Sequence, residues 1–195
     1  VDALDKIKYT AGAAHRAFVV EVMGRESGYL ALSSGLASGA EMQLLSEDGI
    51  DLDTLQKDIE QLRQGFAGGK KLGIVIIAEQ ASPYYDTDFV RRIMEAEAQG
   101  QFDVRQIILG HLQRGGAPSA FDRVQGSRLG AHAARKIMAD IAAGSAEVSV
   151  IGIQRRGIET TPFMEAMGQM DWEHGRPKAQ AWLAWSEIAE TLAKP

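Results

Sequence analysis

The sequence predicts an α/β fold, arranged as a three-layer sandwich around a largely parallel sheet. Short runs rich in Val and Ile alternate along the chain with longer segments that have helical periodicity. These runs are almost continuously apolar, which is typical of strands that are buried on both faces of a parallel sheet. Glycine or polar residues follow the runs before the next helical segment begins, as expected of repeated strand–helix units.

The expected strands lie at residues 17–22, 73–78, 106–109 and 148–153, with a weaker candidate at residues 42–45. Helices are predicted where apolar residues recur three or four positions apart. Three such series are Leu52, Leu55, Ile59, Leu62 and Phe66; Phe89, Ile93 and Met94; and Phe121, Val124, Leu129, Ala133, Ile137 and Ile141. A closing amphipathic helix has Ala181, Trp185, Ile188 and Leu192 on its apolar face, with Pro177 near its first turn.

Cap and turn residues predict where these elements begin and end. Asp51 or Asp53 is expected to cap the helix that ends at Gly68-Gly69. Asp86 or Asp88 is expected to cap the next one. Candidate joints are residues 81–83, 115–118 and 144–145, and none has the length of a linker. Any separate lobes are therefore expected to pack closely.

The composition excludes several classes of function. The 195 residues are 45% hydrophobic and 24% charged, with a net charge of −5, so the chain has no basic field for nucleic acid or acidic membranes. The chain has no cysteine, which excludes disulfides, thiolate metal sites and a cysteine nucleophile. His15, His132 and His174 lack ligand spacing, so no metal site is expected. Without a targeting segment or a membrane-length apolar run, the expected location is cytoplasmic.

Candidate binding residues follow three of the predicted strands. Met23-Gly24-Arg25 follows the first, Glu79 follows the strand at 73–78, and residues 110–116 follow the strand at 106–109. Ligands of open α/β sheets bind at the carboxyl ends of strands. The arginines suit a phosphate, the glycines allow backbone N–H groups to approach it, and a carboxylate can accept hydrogen bonds from sugar hydroxyls. The pattern indicates a small phosphorylated polyol, although solvated arginines, turn glycines and a structural His111 are the ordinary alternatives.

Other phosphate-binding motifs are missing. The sequence has neither Gly-x-Gly-x-x-Gly nor Gly-x-x-x-x-Gly-Lys-Ser/Thr, so the usual nucleotide cradles are not expected. Lys70-Lys71 after Gly68-Gly69 could form an anion-binding loop, but such a pair is more often a solvated helix end.

Two segments resemble the signatures of the phosphofructokinase family. Residues 19–25 read Val-Val-Glu-Val-Met-Gly-Arg, followed by Ser27-Gly28-Tyr29, and resemble the family's sugar-phosphate signature. Residues 108–123 resemble the second signature, and the intervening residues 76–79 fit the same order. The resemblance extends from Asp2 to about Gln154.

The resemblance implies a fructose 6-phosphate site and a shared assembly. It assigns substrate contacts within one subunit to Met23, Gly24, Arg25, Glu79, His111, Leu112, Gln113 and Arg114. Arg16 and Arg105 match arginines that reach a neighbouring subunit's site, which implies a homo-oligomer, commonly a tetramer. Arg25 is also a candidate to stabilise charge on the transferring phosphoryl group. No residue of the chain is expected to be the catalytic base.

The resemblance also implies an effector site and a division into lobes. Effector residues, for a nucleoside diphosphate or phosphoenolpyruvate, are expected at Lys8, Gly39, Ala40, Glu41, Lys70, Lys71 and Leu72. Residues 1–110 with the closing helix at 176–194 are expected to form the sugar-binding lobe, and residues 111–175 a segment of the donor-binding lobe. Because the sequence starts at Val1 without methionine, we expect a piece of a longer enzyme whose N-terminal half is missing.

The missing half would bring the donor site. In the family it carries the residues for ATP and Mg²⁺ and the aspartate base, so this chain alone is expected to bind neither cofactor and to be inactive. The spacing of the signatures and the Gly28-Tyr29 pair favour the ATP-dependent type, and the resemblance implies a bacterial member of the family. The alternatives are a pyrophosphate-dependent phosphofructokinase, a non-catalytic module that binds sugar phosphate, and an unrelated nucleotide-binding domain.

Overall fold

Four parallel strands form the sheet that organises the first part of the molecule. A computed structural model describes residues 1–10, 15–154 and 157–193. The strands are β1 (Arg16–Val22), β2 (Met42–Leu44), β3 (Leu72–Ala78) and β4 (Asp103–Ile108), in the order β2-β3-β1-β4. The helices between them are α1 (Asp2–Thr10), α2 (Tyr29–Ser38), α3 (Leu52–Ala67) and α4 (Thr87–Glu97). The α/β class and the parallel sheet predicted from the sequence are confirmed.

The core of this sheet lies in its two central strands. Ile76 of β3 and Val19 and Val20 of β1 are fully buried, as the continuous apolar runs predicted. The preferred right-handed crossover places α2 on one face of the sheet and α3 with α4 on the other. Leu62 and Phe66 of α3 accordingly pack against Gly73 of β3.

The edge strand β4 begins three residues earlier than the apolar run at 106–109 predicted, and it ends at Ile108. Asp103 and Arg105 are exposed and Val104 is buried, because successive side chains point to opposite faces of the sheet and one face is more exposed at this edge. The resulting alternation of polar and apolar residues is not a continuous apolar run, and for this reason the start of the strand was missed.

Helix caps decide between the alternatives that the sequence left open. The carboxylate of Asp51 accepts a hydrogen bond from Thr54 N–H at 2.9 Å, so Asp51 and not Asp53 caps α3. The carboxylate of Asp86 accepts from Phe89 N–H at 2.7 Å, so Asp86 and not Asp88 caps α4. These contacts satisfy backbone donors that have no partner within the helix.

The chain divides into two compact units, Val1–Arg114 with Gln180–Pro195 and Gly115–Ala179. The first division falls at Gly115, within one of the predicted joints, whereas residues 81–83 and 144–145 lie inside a unit. The binding of the sugar phosphate by one predicted lobe and of the phosphoryl donor by the other stays a prediction. Residue 194, where the predicted sugar-binding lobe ends, lies outside the described residues.

The second unit contains α5 (Ala120–Ala143), β5 (Ser149–Gln154), β6 (Gly157–Pro162), α6 (Phe163–Gly168), β7 (Met170–Asp171) and β8 (Arg176–Pro177). Ser119 and Asp122 form a capping box at the start of α5. The antiparallel pair β5–β6 was only half predicted, because β6 is mostly polar and has no apolar run. The position of α5 is confirmed, but Phe121 and Ile141 on its predicted apolar face are 70% and 75% exposed.

The end of the chain differs from the single closing helix that the sequence predicted. A 3₁₀ turn (Ala181–Trp185) precedes α7 (Ser186–Ala193), and Pro177 lies in β8. The residue of α7 that is buried is Ala189, whereas Ile188 and Leu192 are exposed. The 3₁₀ turn has three residues per turn, so the residues before and after it do not continue one apolar face.

Histidines of the second unit have local partners. His132 Nε2 lies 2.8 Å from Thr160 Oγ1, and His174 Nδ1 lies 2.8 Å from Asp171 Oδ2. The contact with His174 lowers the pKa of the Asp171 carboxyl. Within residues 1–10, 15–154 and 157–193, no group of three or more His, Asp or Glu side chains could hold a metal ion. None of the helices in these ranges is long and apolar enough to span a bilayer.

Candidate functional site

The segments after β3, β1 and β4 meet at one edge of the sheet. These strands are neighbours and run parallel, so their carboxyl ends lie side by side. Backbone hydrogen bonds extend this arrangement beyond the strands, from Glu79 N–H to Val22 O at 2.8 Å and from Leu109 N–H to Glu21 O at 3.1 Å. The geometry is the strand-end cleft in which α/β proteins bind ligands.

A tight loop after β1 carries Arg25. Gly24 has a φ of +139°, and a Cβ at this position would lie 2.3 Å from the carbonyl oxygen of Ser27. Ser46 Oγ donates to Gly24 O at 2.9 Å, and Glu47 Oε2 accepts from Gly28 N–H at 2.8 Å. The loop is therefore held from a second segment, and position 24 has room for glycine alone.

Side-chain hydrogen bonds join the three strand-end segments. Gln113 Oε1 accepts from Met23 N–H at 2.7 Å, which joins the segment after β4 to the one after β1. Gln80 Oε1 accepts from Arg25 Nε at 2.9 Å, which joins the segment after β3 to the same loop. Glu79 is half-buried and Arg25 is exposed, so a carboxylate and a guanidinium are both accessible at this edge.

The turn after β4 presents the other residues that the sequence assigned to the sugar. Gly110–Arg114 forms a 3₁₀ turn in the first unit, and His111, Leu112 and Arg114 are exposed there. The structure thus brings one group of predicted substrate residues to the same sheet edge: Met23, Gly24, Arg25, Glu79, His111, Leu112, Gln113 and Arg114.

Arg16 and Arg105 lie away from this group. Arg16 is the first residue of β1, and seven residues of extended chain separate it from Met23 by roughly 20 Å. Arg105 pairs with Phe18 in the register and is 3.7 Å from the carboxylate of Asp103. Arg16 Nε is buried and has no hydrogen-bond partner among the residues that the structure describes. Within one chain, these two arginines do not join the strand-end group.

The residues predicted to bind an effector meet near the start of β2. Glu41 Oε1 is 2.9 Å from Lys70 Nζ, and Glu41 Oε2 accepts from Ile74 N–H at 2.6 Å. Lys8 Nζ donates to the carbonyl oxygen of Ser38, next to the left-handed Gly39 that ends α2. The predicted group is Lys8, Gly39, Ala40, Glu41, Lys70, Lys71 and Leu72, and the side chain of Lys71 is exposed.

A cavity of about 540 Å³ lies beside this group and has an acidic lining. Asp58 of α3 and Glu190 of α7 line it together with Glu41 and Lys70. Burial raises the pKa of the Asp58 carboxyl, and the negative charge of Glu190 raises it further. The cavity therefore contains a carboxylate that is harder to ionise than in the unfolded chain.

Replacing Asp58 with asparagine is expected to stabilise the protein at neutral pH. A carboxyl group whose pKa is raised by folding destabilises the folded state once it ionises. This penalty is absent below the unfolded-state pKa and complete above the folded-state pKa, so stability falls as the pH rises between them. We expect Asp58→Asn to raise the melting temperature at pH 7 by about 1–3 °C and to weaken its pH dependence.

Calorimetric scans between pH 4 and pH 7 measure this effect. Glu190→Gln should act in the same direction by a smaller amount, because it removes the second cause of the shift. Asp53→Asn on the exposed side of α3 is the matched control and should not stabilise the protein. A melting temperature of Asp58→Asn at or below that of the parent chain would show that the ionised Asp58 is not a cost to the fold.

Comparison with known proteins identifies the family. The profile of the phosphofructokinase family matches residues 1–137, which is more than half of the chain. The chain belongs to the phosphofructokinase family. Both segments that resemble the family's signatures, residues 19–29 and 108–123, lie inside the match.

Individual phosphofructokinases are similar over nearly the whole chain. An ATP-dependent 6-phosphofructokinase of Dictyostelium discoideum is 42% identical over 99% of the chain, and the human platelet-type enzyme is 37% identical over 99%. These matches cover 23% and 26% of the relatives, so the chain spans about a quarter of their length. Both relatives are eukaryotic, and the expected bacterial type stays a prediction.

Solved phosphofructokinases have the same fold. The enzyme of Saccharomyces cerevisiae superposes with a TM-score of 0.91 at 29% identity, covering 98% of this chain and 27% of that one. A pyrophosphate-dependent phosphofructokinase of Marinobacter aquaeolei superposes with a TM-score of 0.63 at 19% identity over 100% of this chain and 52% of that one. At this low identity, the second likeness supports the fold alone.

Sequence analysis did not predict three residues that hold the loop after β1 in place. Gln80 next to Arg25, and Ser46 and Glu47 next to the Gly24–Gly28 loop, are outside both signature segments. No spacing rule indicates them, because each contact depends on the order of strands in the sheet. The positive φ of Gln80 is likewise visible only in the structure.

Proposed function

We propose that this chain is the sugar-phosphate-binding part of an ATP-dependent 6-phosphofructokinase. The observation that carries the proposal is the meeting of Arg25, Glu79 and the turn Gly110–Arg114 at one sheet edge. Membership of the phosphofructokinase family and the names of the relatives support the substrate, fructose 6-phosphate, and a role in glycolysis. A cytoplasmic location is part of the proposal.

In this proposal each side chain at the edge has a distinct contact. Arg114 and His111 bind the 6-phosphate, since a guanidinium and an imidazole N–H both donate hydrogen bonds to phosphate oxygens. Glu79 accepts hydrogen bonds from sugar hydroxyls, and the Met23-Gly24 backbone lines the cleft. Arg25 contacts the sugar phosphate through its two terminal amino groups, and its charge also stabilises the phosphoryl group as it moves to the 1-hydroxyl.

We assign the binding of the phosphoryl donor, ATP, and of Mg²⁺ to parts of the enzyme that this chain does not span. ATP and Mg²⁺ require a phosphate loop and carboxylate ligands, and the sequence contains neither of the usual nucleotide loops. The isolated chain is therefore proposed to bind the sugar without catalysing transfer. ATP is preferred to pyrophosphate because the relatives that are 42% and 37% identical are ATP-dependent.

A shared sugar site and an effector site are proposed as well. Arg16 and Arg105, which lie away from the cleft of their own chain, would enter the site of a neighbouring subunit in a homotetramer. Lys8, Lys70 and Lys71 near the end of α2 would bind a phosphorylated effector together with Glu41, Gly39, Ala40 and Leu72.

Titration of fructose 6-phosphate into the purified chain tests the central proposal. Saturable heat is expected with fructose 6-phosphate and none with glucose 6-phosphate at the same concentration, because the hydroxyls that face Glu79 are placed differently. Absence of binding by a sample whose circular dichroism shows a folded α/β protein would contradict it. A coupled assay with ATP and Mg²⁺ should show no turnover, and weak turnover lost in Arg25→Ala would refute the proposed inactivity of the chain.

A further inference from the structure

The turn after β3 has an uncommon residue at its third position. Ala81 N–H donates to Ala78 O at 2.9 Å, which closes a four-residue turn with Glu79 and Gln80 at its centre. Gln80 has a φ of +62°. Type II turns have this arrangement and favour glycine at the third position, because a side chain there is strained. Strain of this kind is typically retained where the side chain has a use.

In the part of the chain that the structure describes, the side chain of Gln80 hydrogen-bonds to Arg25. Gln80 Oε1 accepts from Arg25 Nε at 2.9 Å, and both side chains are otherwise exposed. A guanidinium can bind a phosphate through Nε and one terminal amino group, or through its two terminal amino groups. Because the contact with Gln80 uses Nε, it directs the two terminal amino groups of Arg25 to a ligand.

An amide is suited to this position for an electrostatic reason. A carboxylate would also accept from Nε, but it would neutralise the charge that attracts a phosphorylated ligand. Gln80 accepts the hydrogen bond without a charge, so Arg25 keeps its full positive charge while one of its donors is held in place. The long arginine side chain then loses less freedom when a ligand binds, which favours affinity.

We infer that Gln80 is a positioning residue that orients the guanidinium of Arg25 toward the sugar phosphate. The identity of the ligand rests on the proposed function, whereas the hydrogen bond between Gln80 and Arg25 is a feature of the structure itself. It adds a residue that lies outside both segments that resemble the family signatures, and it predicts that affinity and fold stability respond in opposite directions to one substitution.

The decisive variant is Gln80→Gly. Glycine relieves the strain at positive φ, so the melting temperature is expected to stay the same or to rise by a few degrees. The dissociation constant for fructose 6-phosphate is expected to increase about 3- to 10-fold, as after loss of one orienting hydrogen bond. Gln80→Glu keeps the acceptor but adds a negative charge, and it should weaken binding at least as much.

The chain contains a matched control for the backbone effect. Gln99 is also a glutamine with positive φ, at +50°, and its Oε1 accepts from Arg63 Nη1 at 3.0 Å. It lies after α4, in the segment that leads into the start of β4, and so at the other end of the sheet from Arg25. Gln99→Gly should change the melting temperature as Gln80→Gly does and leave the dissociation constant unchanged.

A second measurement reads the contact without a ligand. In ¹H–¹⁵N spectra near pH 6, the Nε–H of Arg25, assigned by its loss in Arg25→Lys, is expected to exchange slowly in the parent chain and in Gln80→Glu. It should exchange rapidly in Gln80→Gly. Rapid exchange in the parent chain, or an unchanged dissociation constant in Gln80→Gly, would overturn the inference. If no variant or parent binds fructose 6-phosphate, the proposed function fails, while the exchange rates still decide whether Gln80 holds Arg25.

Discussion

Arg25→Ala is expected to weaken the binding of fructose 6-phosphate by roughly 100-fold. A hydrogen bond to a charged group contributes about 1.5–3 kcal/mol, and every 1.4 kcal/mol is a factor of ten in the dissociation constant. The two terminal amino groups of Arg25 can donate two such bonds to one phosphorylated ligand. Because Arg25 is exposed and lies in a surface loop, its removal should change the melting temperature very little.

Two further variants make this prediction specific. Arg25→Lys keeps the charge but loses the planar fork, so its dissociation constant should lie between those of the parent and Arg25→Ala. Arg92 is an exposed arginine on α4 that forms a 3.0 Å ion pair with Asp88, and Arg92→Ala should bind as the parent does. Calorimetric titration measures all three, and Arg25→Ala with the affinity of the parent chain would remove Arg25 from the proposed site.

Gly24→Ala is expected to lower the free energy of unfolding by about 2–4 kcal/mol. Two effects act together at this position. The φ of +139° is strained for any residue with a side chain, and the added Cβ would lie 2.3 Å from the carbonyl oxygen of Ser27. Relief of this overlap requires the loop to move, which also displaces Arg25 from the cleft. Binding of fructose 6-phosphate should therefore be lost with the stability.

Gly100→Ala separates the two effects. Gly100 also has a positive φ, at +78°, but a Cβ there would meet no atom within 4 Å. This control should cost about 1 kcal/mol, from the backbone conformation alone, and should leave binding intact. Urea unfolding of both variants gives the comparison. Equal losses in the two would mean that the contact with Ser27 contributes nothing to the effect.

Local sequence determined the elements of the first unit because each has a signal within a few residues. The continuous apolar runs gave the positions of β1 and β3, since a strand covered on both faces needs no polar residue. Asp51 was identified as one of two candidate caps because a helix start depends only on its own first turn. The same locality explains why Arg25, Glu79 and His111 could be assigned to strand ends before their neighbours were known.

Burial in the second unit could not be obtained in this way. The spacing of Phe121, Ile137 and Ile141 predicts a helix, and α5 spans these residues. Periodicity states which side of a helix is apolar, but not whether any other element covers it. The exposed fractions of these three residues, 70%, 58% and 75%, are a tertiary result.

The sequence by itself determined the α/β class, the family and the residues that lie at the carboxyl edge of the sheet. Only the tertiary structure decided that β3, β1 and β4 are neighbours, that Arg16 and Arg105 lie away from that edge, and that Gln80 contacts Arg25. The physical reason is that strand order and side-chain contacts between distant segments are set by packing over the whole sheet. The residue pattern of one segment carries no information about which other segment will lie beside it in the sheet.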